Sequence, residues 1–333
     1  MKRIIVIVIL LALFVVILPL GAMAAEMLVP VGRVVGLHLG DNSMVIAGFD
    51  SILGVGAQKA GLQVGDKLTN INGQPVNSAE DIAEVLETSD GKVEVRYIRN
   101  GKTKSVILQP VVTDNGPRLG IYLKQGISGV GTVTWYDPDS ATFGALGHGV
   151  NGANGQLIPV GKGTIYSASV LSVIKGKAGD PGQLLGNLRD KTPIGVIERN
   201  AQQGIFGKLN IQLEGEAIPI AKRNEIQTGP AIIRSNVNGS EVQEYSVEIL
   251  NIYPNSKENG RNMLIKVTDA SLLQATGGIV QGMSGSPIIQ NGKLVGAITH
   301  VLVNDPTKGY AIFAENMLET AKEVANEQLK EAS

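Results

Sequence analysis

Short apolar segments separated by turn residues constrain the fold of this chain more than any other feature. Between Thr113 and residue 315, stretches such as Gly131–Tyr136, Tyr245–Ile252 and Leu294–Thr299 alternate with Gly, Asn, Asp and Pro. Strands at this spacing over about 200 residues are typical of β-sandwiches and paired β-barrels. The 42 glycines among 333 residues agree with many tight turns. We therefore predict a mostly β domain over 113–315, followed by an apolar-striped helix over 316–333.

The N-terminus predicts export from the cytoplasm. Lys2 and Arg3 precede an uncharged run from Ile4 to Ala25. That run is long enough to cross a bilayer, which takes about 20 residues, and its positive flank favours a cytoplasmic N-terminus. We expect a signal-anchor helix over 1–26 and an extracytoplasmic body. The alternative is a cleaved signal peptide with a secreted body, since Ala22-Met23-Ala24 has the small-x-small form of a cleavage site.

Composition excludes several classes of site. The chain has no cysteine, so disulfides, thiolate metal sites and cysteine nucleophiles are excluded. Three histidines are too few for a His-rich metal site. The formal net charge of −1 gives no basic surface for nucleic acid. We expect no metal, no organic cofactor and no nucleic-acid partner.

Residues 27–112 predict a small α+β domain. Asn72-Gly73 lies between two short apolar strands, which is a strong hairpin signal. Ser78–Glu87 predicts a helix with Ser78 as its N-cap. Ala60–Leu68 together with Ile71-Asn72-Gly73 resembles a PDZ domain of the bacterial protease type. The resemblance implies that a peptide adds as a strand, its carboxylate held by backbone N–H groups, along Val35, Gly36 and Leu37. The alternative is an α+β domain without a ligand.

The sharpest local motif is Gly282-Met283-Ser284-Gly285-Ser286-Pro287. A serine nucleophile needs a hydroxyl on a tight turn and backbone N–H groups aimed at a developing oxyanion. The motif resembles the Gly-x-Ser-Gly-x-Pro turn of chymotrypsin-like proteases, which implies a double β-barrel. It also implies Ser284 as the nucleophile and the N–H groups of Gly282 and Ser284 as the oxyanion hole. Gly/Ser turns before strands are also common in β proteins without activity.

His148 is our candidate for the general base, because it lies between two glycines after a short strand and a histidine titrates near neutral pH. His300, at the end of a strand close to the serine motif, is the competing base. His38 belongs to the PDZ-like region. Asp269, fifteen residues before Ser284, is our candidate for orienting the base. The alternative role of Asp269 is to cap the helix-like segment that follows it.

Longer stretches resemble one family. They are Leu119–Tyr122, Gly129–Thr134, Gly144–His148, Gly204–Gly207 and Thr276–Asp305. Together with the anchor and the PDZ-like region, they are similar to the stage IV sporulation protein B peptidases of endospore-forming bacteria.

This resemblance implies a serine endopeptidase with a triad matching His148, Asp269 and Ser284. It also implies action in the space between forespore and mother-cell membranes. There the enzyme would cleave itself and a regulatory membrane protein. Cleavage of the regulator would release an intramembrane metalloprotease that matures a late sigma factor.

Two alternatives stay open. The chain could be a non-catalytic, membrane-anchored PDZ adaptor whose protease-like domain only binds. It could also be a Ser–Lys protease with Lys308 as its base, although a lysine in a turn is more often solvated than buried.

Overall fold

The structure, a computed structural model, describes residues 26–331 except 153–154, 161 and 257–259. Nearly all of the anchor predicted over 1–26 lies outside the described residues. Within the described part of the chain, no helix has both the length and the apolar character needed to cross a bilayer.

The described residues form twenty strands and four helices. The strands are β1 (Met27–Pro30), β2 (Val34–Phe49), β3 (Lys67–Ile71), β4 (Gln74–Pro75), β5 (Val93–Arg99), β6 (Lys102–Leu108), β7 (Val111–Thr113), β8 (Gly116–Arg118), β9 (Ile121–Tyr136), β10 (Thr142–Ala145), β11 (Lys162–Ile174), β12 (Gln183–Ala201), β13 (Gly204–Leu209), β14 (Ile218–Pro219), β15 (Gly229–Ser235), β16 (Gln243–Ile252), β17 (Met263–Val267), β18 (Pro287–Gln290), β19 (Lys293–Leu302) and β20 (Asp305–Phe313). The helices are α1 (Val55–Lys59), α2 (Ala79–Glu87), α3 (Ala270–Thr276) and α4 (Ala314–Glu331). The prediction of a mostly β fold is confirmed.

The first barrel is a closed antiparallel ring. Its strands pair in the order β2-β9-β10-β13-β12-β11 and back to β2. Alternate residues point inward and form its core, as expected for a period of two along a strand. The core includes Val35, Leu37, Val133, Phe143 and Ile205, which are all at most 5% exposed.

The second barrel closes through β15-β16-β17-β20-β19-β18. Buried residues such as Ile233, Val247, Ile265 and Phe313 fill it. Helix α4 covers one side, where its Met317 joins Trp135 and Phe206 in a shared cluster. Two packed barrels are the architecture that the serine motif implied.

A small α+β unit is inserted into the first barrel. The first half of β2 belongs to the barrel, and its second half pairs with β3 through Met44 and Val45. The core of the unit runs from Met44 to Leu119, with Leu123 packed against it. The chain then returns to the barrel along β9.

The expected domain start at Met27 is therefore corrected. Strand β1 pairs with β9, since Val29 lies opposite Tyr136 and Pro30 opposite Trp135. Val29, Val35 and Leu37 pack inside the first barrel rather than in the α+β unit. The physical reason is that one 16-residue strand serves both units, whereas the sequence reads as two short strands broken at Gly40–Ser43.

Local structure in the α+β unit follows its sequence signals. Asn72 and Gly73 have φ values of 49° and 80°, as a tight hairpin turn requires. Ser78 Oγ accepts a hydrogen bond of 3.0 Å from Asp81 N–H and caps α2. Asp66 is 1% exposed and its carboxylate receives two bonds of 2.6 Å from Arg99. This ion pair joins the loop before β3 to the end of β5.

Candidate active site

The candidate nucleophile lies on a turn over Gly282–Ser286 (the nucleophile turn), between α3 and β18. Gly282 and Gly285 have φ values of 98° and 97°, a region that glycine adopts without strain. A Cβ atom on Gly285 would lie 2.0 Å from the carbonyl oxygen of Thr132. Glycine at this position therefore lets the turn approach the first barrel.

The backbone of the nucleophile turn leaves two N–H groups available. Met283 N–H donates to Val280 O (3.1 Å) and Gly285 N–H donates to Ile298 O (2.7 Å). Within the described residues, the N–H groups of Gly282 and Ser284 donate to no backbone oxygen. These are the two groups predicted to form the oxyanion hole.

His148 follows β10 of the first barrel. Leu146 and Gly147 before it both have positive φ values, 67° and 69°, which turn the chain toward the second barrel. The Nδ1 atom of His148 lies 3.0 Å from Gly149 O. Because a carbonyl oxygen only accepts, this hydrogen bond requires a proton on Nδ1 and leaves the Nε2 lone pair free. A neutral imidazole in this tautomer can accept a proton from a serine.

Asn200 holds the segment that follows His148, a role that no motif in the sequence indicated. Its side-chain amide donates to Val150 O (2.7 Å) and to Ile158 O (3.0 Å), and its Oδ1 accepts from Val150 N–H (2.9 Å). It fixes both sides of the loop that begins at His148.

The two barrels bring Ser284 and His148 to one junction. Thr132 N–H donates to Ser284 O and Leu146 N–H donates to Thr132 O, both at 3.1 Å. Ser284 Oγ donates to Thr299 O (2.8 Å), and the ring of the next residue, His300, lies 5.1 Å from the His148 ring. Within the described residues, no hydrogen bond joins Ser284 to His148. Transfer of the serine proton therefore needs a rotation of the Ser284 side chain away from Thr299 O.

Burial sets the charge at this junction. It lowers the pKa of His148, while the bond to Gly149 O acts in the opposite direction. Burial, then the charges of His148 and Arg261, lower the pKa of His300 to about 4. His300 Nδ1 is buried and has no hydrogen-bond partner within the described residues. His300 is thus a neutral neighbour of His148 near pH 7 and a poor competitor for a proton.

Asp269 does not orient His148 in this structure, which corrects the predicted triad. Its Oδ1 accepts from Leu272 N–H (3.0 Å) and from Ser271 Oγ (2.5 Å), and its Oδ2 accepts from Ser246 N–H (3.4 Å). It is the N-cap of α3. The hydroxyl of Ser271, followed by the Leu272 N–H, lowers the pKa of Asp269. The structure therefore contains the alternative role of Asp269, that of a helix cap, because its carboxylate accepts a hydrogen bond from a free N–H group at the N-terminus of α3.

Lys308 is a solvated surface cation. Its Nζ lies 2.9 Å from Asp305 and its side chain is 36% exposed. It therefore lacks the burial that a lysine base requires. Among the described residues, no three His, Asp or Glu side chains are grouped closely enough to hold a metal ion.

Comparison with known protein families matches residues 115–318 to the SpoIVB peptidase S55 family. The match covers well over half of the chain. The chain belongs to this family. Its members are serine peptidases, and the match spans the second barrel, every strand of the first barrel except β2, and both His148 and Ser284. Residues 56–99 match a PDZ domain, which confirms the resemblance of the α+β unit.

Curated relatives match only a short part of this S55 chain. A putative zinc metalloprotease of Staphylococcus aureus strain N315 is 42% identical over 59 residues, 17% of this chain and 14% of the relative. One of Bartonella henselae is 32% identical over 85 residues, 25% of this chain and 23% of the relative. The chain thus spans less than a quarter of the length of these relatives.

Solved structures resemble the S55 chain weakly. The HtrA-type protease AlgW with a decapeptide has a TM-score of 0.38 and 14% identity, covering 64% of this chain and 58% of AlgW. The active form of the Rv3671c protease from M. tuberculosis has a TM-score of 0.37 and 14% identity, covering 60% and 75%. The PDZ domain of the SdrC-like protein from Listeria monocytogenes has a TM-score of 0.22 and 18% identity, covering 25% and 88%.

The peptide-binding strand predicted at Val35, Gly36 and Leu37 is corrected by the structure. Leu37 lies opposite Ile165 on one side and Gly129 on the other, so β2 has a paired strand on both edges here. No edge is left to which a peptide could add. These residues build the peptidase barrel and not the PDZ ligand site.

A groove in the PDZ domain lies instead between α2 and the start of β9 (the PDZ groove). It has a volume of about 420 Å³. Its walls include Ala79, Ile82, Ala83 and Leu86 from α2, at helical spacing, and the segment Leu119–Leu123. In the described residues, Ile121–Leu123 pair only with β2, which leaves their other edge toward α2. The helix stripe and Leu119-Gly120-Ile121 are the signals that could have located this groove in the sequence.

Proposed function

We propose that this S55 chain is a serine endopeptidase in which Ser284 is the nucleophile and His148 is the general base. The observation that carries the proposal is that the nucleophile turn, from one barrel, meets residues 146–149 (the His148 loop), from the other, at Thr132. A nucleophile and a base held by two rigid barrels can act on a carbonyl placed between them.

The chemistry follows from the geometry. Ser284 Oγ rotates from Thr299 O toward Nε2 of His148, passes its proton there and attacks the peptide carbonyl. The negative charge that develops on the carbonyl oxygen is stabilised by Gly282 N–H and Ser284 N–H. His148 then returns the proton to the leaving amine. In place of a carboxylate, Gly149 O accepts from Nδ1 and keeps the ring in the required tautomer.

The PDZ groove supplies recognition in this proposal. An extended peptide would pair with the free edge of Ile121–Leu123 and place apolar side chains against α2. Its terminal carboxylate would meet the N–H groups of Leu119 and Gly120, which donate to no backbone oxygen within the described residues. The peptides would come from the protein substrate and from other copies of the chain itself.

The biological role is proposed from the family and from the N-terminal run. The chain would act outside the cytoplasm, anchored or secreted, in the space between forespore and mother-cell membranes. It would cleave a regulatory membrane protein and so activate an intramembrane metalloprotease that matures a late sigma factor. The SpoIVB description of the matching family supports this role.

Labelling with a fluorophosphonate probe tests the activity, because the probe reacts with an activated serine and not with an ordinary hydroxyl. We would compare the full chain in detergent with Ser284→Ala and His148→Gln. Ser240→Ala, which removes an exposed hydroxyl of the second barrel region, is the matched control. The proposal expects labelling of the parent and of the control, and loss of labelling in the other two variants.

One observation favours the adaptor alternative. Ser284 Oγ is bonded to Thr299 O and not to His148, so the resting site is not poised for proton transfer. A folded parent chain that stays unlabelled between pH 6 and 9, also with its substrate protein present, would establish the adaptor and end the peptidase proposal.

A further inference from the structure

Thr132 is a buried polar residue close to the nucleophile turn. It lies on β9, is 0% exposed and is followed by the core residue Val133. A buried hydroxyl costs free energy unless it is hydrogen-bonded. Valine, which has the same shape, would avoid this cost, so the hydroxyl needs an explanation.

The three hydrogen bonds of Thr132 provide one. Its Oγ1 donates to Gly282 O (2.8 Å). Its N–H donates to Ser284 O (3.1 Å), and its carbonyl oxygen accepts from Leu146 N–H (3.1 Å). One residue thus contacts the nucleophile turn at two points and the His148 loop at a third.

The two contacts on the nucleophile turn flank one oxyanion donor, the Ser284 N–H. Gly282 O and Ser284 O belong to the peptide groups on either side of the one that carries the Ser284 N–H. Gly282 has a φ of 98° and no Cβ atom, so the Gly282–Met283 peptide group turns easily unless it is held. Two hydrogen bonds hold it: Met283 N–H donates to Val280 O, and Gly282 O accepts from Thr132 Oγ1. Without the Thr132 hydroxyl only the Met283 N–H bond would hold this peptide group, and the Gly282 carbonyl could turn toward the substrate oxygen and place an acceptor where a donor is required.

We propose that Thr132 is a positioning residue whose hydroxyl holds the Gly282 carbonyl and thereby keeps the oxyanion hole open. This proposal rests on the proposed peptidase function. The backbone of Thr132 aligns the nucleophile turn with the His148 loop, whatever its side chain. The side chain has the separate task of fixing Gly282, so substitutions that change only the hydroxyl isolate it.

The test compares Thr132→Ser, Thr132→Ala and Thr132→Val in the full chain. Serine and alanine differ only by the hydroxyl, and valine replaces it at constant shape. The measurement is the rate of fluorophosphonate inactivation over a range of probe concentrations, which separates the maximal rate from the probe affinity.

We expect Thr132→Ala and Thr132→Val to lower the maximal inactivation rate roughly tenfold to a hundredfold, because loss of one oxyanion donor costs about 10²–10³. Probe affinity and the acid limb of the pH profile should stay within about twofold. Thr132→Ser should restore the rate to within about threefold of the parent. If valine prevents folding, which thermal unfolding would reveal, the serine and alanine variants still decide the question.

Equal maximal rates for the serine and alanine variants, with the parent labelled at Ser284, would overturn the role of Thr132 and leave the peptidase proposal intact. A folded parent that is not labelled at Ser284 would overturn both. A fall in rate for alanine and valine together with rescue by serine supports the proposal, since a purely structural role does not separate rate from affinity.

Discussion

Replacing Asp269 separates a catalytic carboxylate from a helix cap. The substitutions are Asp269→Ala, which removes both roles, and Asp269→Ser, which keeps the capping oxygen and removes the carboxylate. In the structure the carboxylate accepts from Leu272 N–H, Ser271 Oγ and Ser246 N–H at 3.0, 2.5 and 3.4 Å. All three partners lie at or near the N-terminus of α3 or on the neighbouring strand β16.

The expected magnitudes follow from those contacts. Loss of a cap costs about 0.5–2 kcal/mol, so Asp269→Ala should lower the free energy of unfolding by about 1 kcal/mol. Asp269→Ser should differ from the parent by only a few tenths of a kcal/mol. Neither should change the fluorophosphonate inactivation rate by more than about threefold, whereas loss of a triad aspartate costs about 10⁴-fold. Urea unfolding and the inactivation rate measure the two quantities.

The pH dependence gives an independent check. The folded-state pKa of Asp269 lies below its ordinary value of 3.8, so its stabilising contribution is present above that value and is lost as pH falls through the lower one. The stability difference between parent and Asp269→Ala should therefore shrink only in strong acid. A folded Asp269→Ser variant whose inactivation rate falls a hundredfold or more would refute the capping assignment and restore Asp269 to the triad.

Three further outcomes are expected. Ala83→Lys in the PDZ groove should weaken the binding of a fluorescent decapeptide with a free C-terminal Val at least tenfold, as measured by fluorescence polarisation. Glu84→Lys, at an exposed position of the same helix, should not weaken it. Equal binding by the two variants would contradict the assignment of the groove as the peptide site. Arg99→Ala should lower the thermal unfolding midpoint by several degrees, because it leaves the buried Asp66 unpaired, whereas Arg96→Ala, whose pair with Glu94 is exposed, should leave it nearly unchanged. Burial lowers the pKa of His148 below its ordinary value of 6.5, so the neutral base persists below pH 6.5. As the pH is lowered, the inactivation rate should therefore fall with a midpoint below pH 6.5. A midpoint above pH 6.5 would contradict the argument that burial disfavours the charged ring.

Local sequence signals predicted correctly those features that depend only on contacts between residues close together in the chain. The hairpin at Asn72-Gly73 and the cap at Ser78 depend on backbone conformations and contacts within a few residues. The tight turn around Ser284 likewise follows from its glycines. The roles of Ser284 and His148 stay predictions, although the structure places both at the junction of the barrels.

The features that depend on contacts between distant residues could not be predicted from the sequence. A strand that is paired on both edges and one with a free edge can have the same sequence pattern, so Val35–Leu37 suggested a peptide site that the first barrel occupies. Asp269 has the composition of both a cap and a triad member, and only the positions of Ser246 and Leu272 separate the two. Thr132 gave no signal at all, because threonine is an ordinary strand residue and its partners on the nucleophile turn lie 150 or more residues away.

The inserted topology determines how the peptidase and PDZ functions can be separated. A truncation starting at Thr113 would remove β1 and all of β2, and with them one of the strands that close the first barrel, so its product should not fold. Leu39 and Ile127 are paired across β2 and β9, which places their Cα atoms about 5 Å apart. A two-residue Asn-Gly turn between them could therefore replace the whole PDZ domain and keep the barrel closed. Such a variant should unfold cooperatively and label at Ser284 like the parent, while losing peptide binding. A variant that aggregates or fails to label would mean that the barrel depends on the PDZ domain for more than the continuity of these two strands.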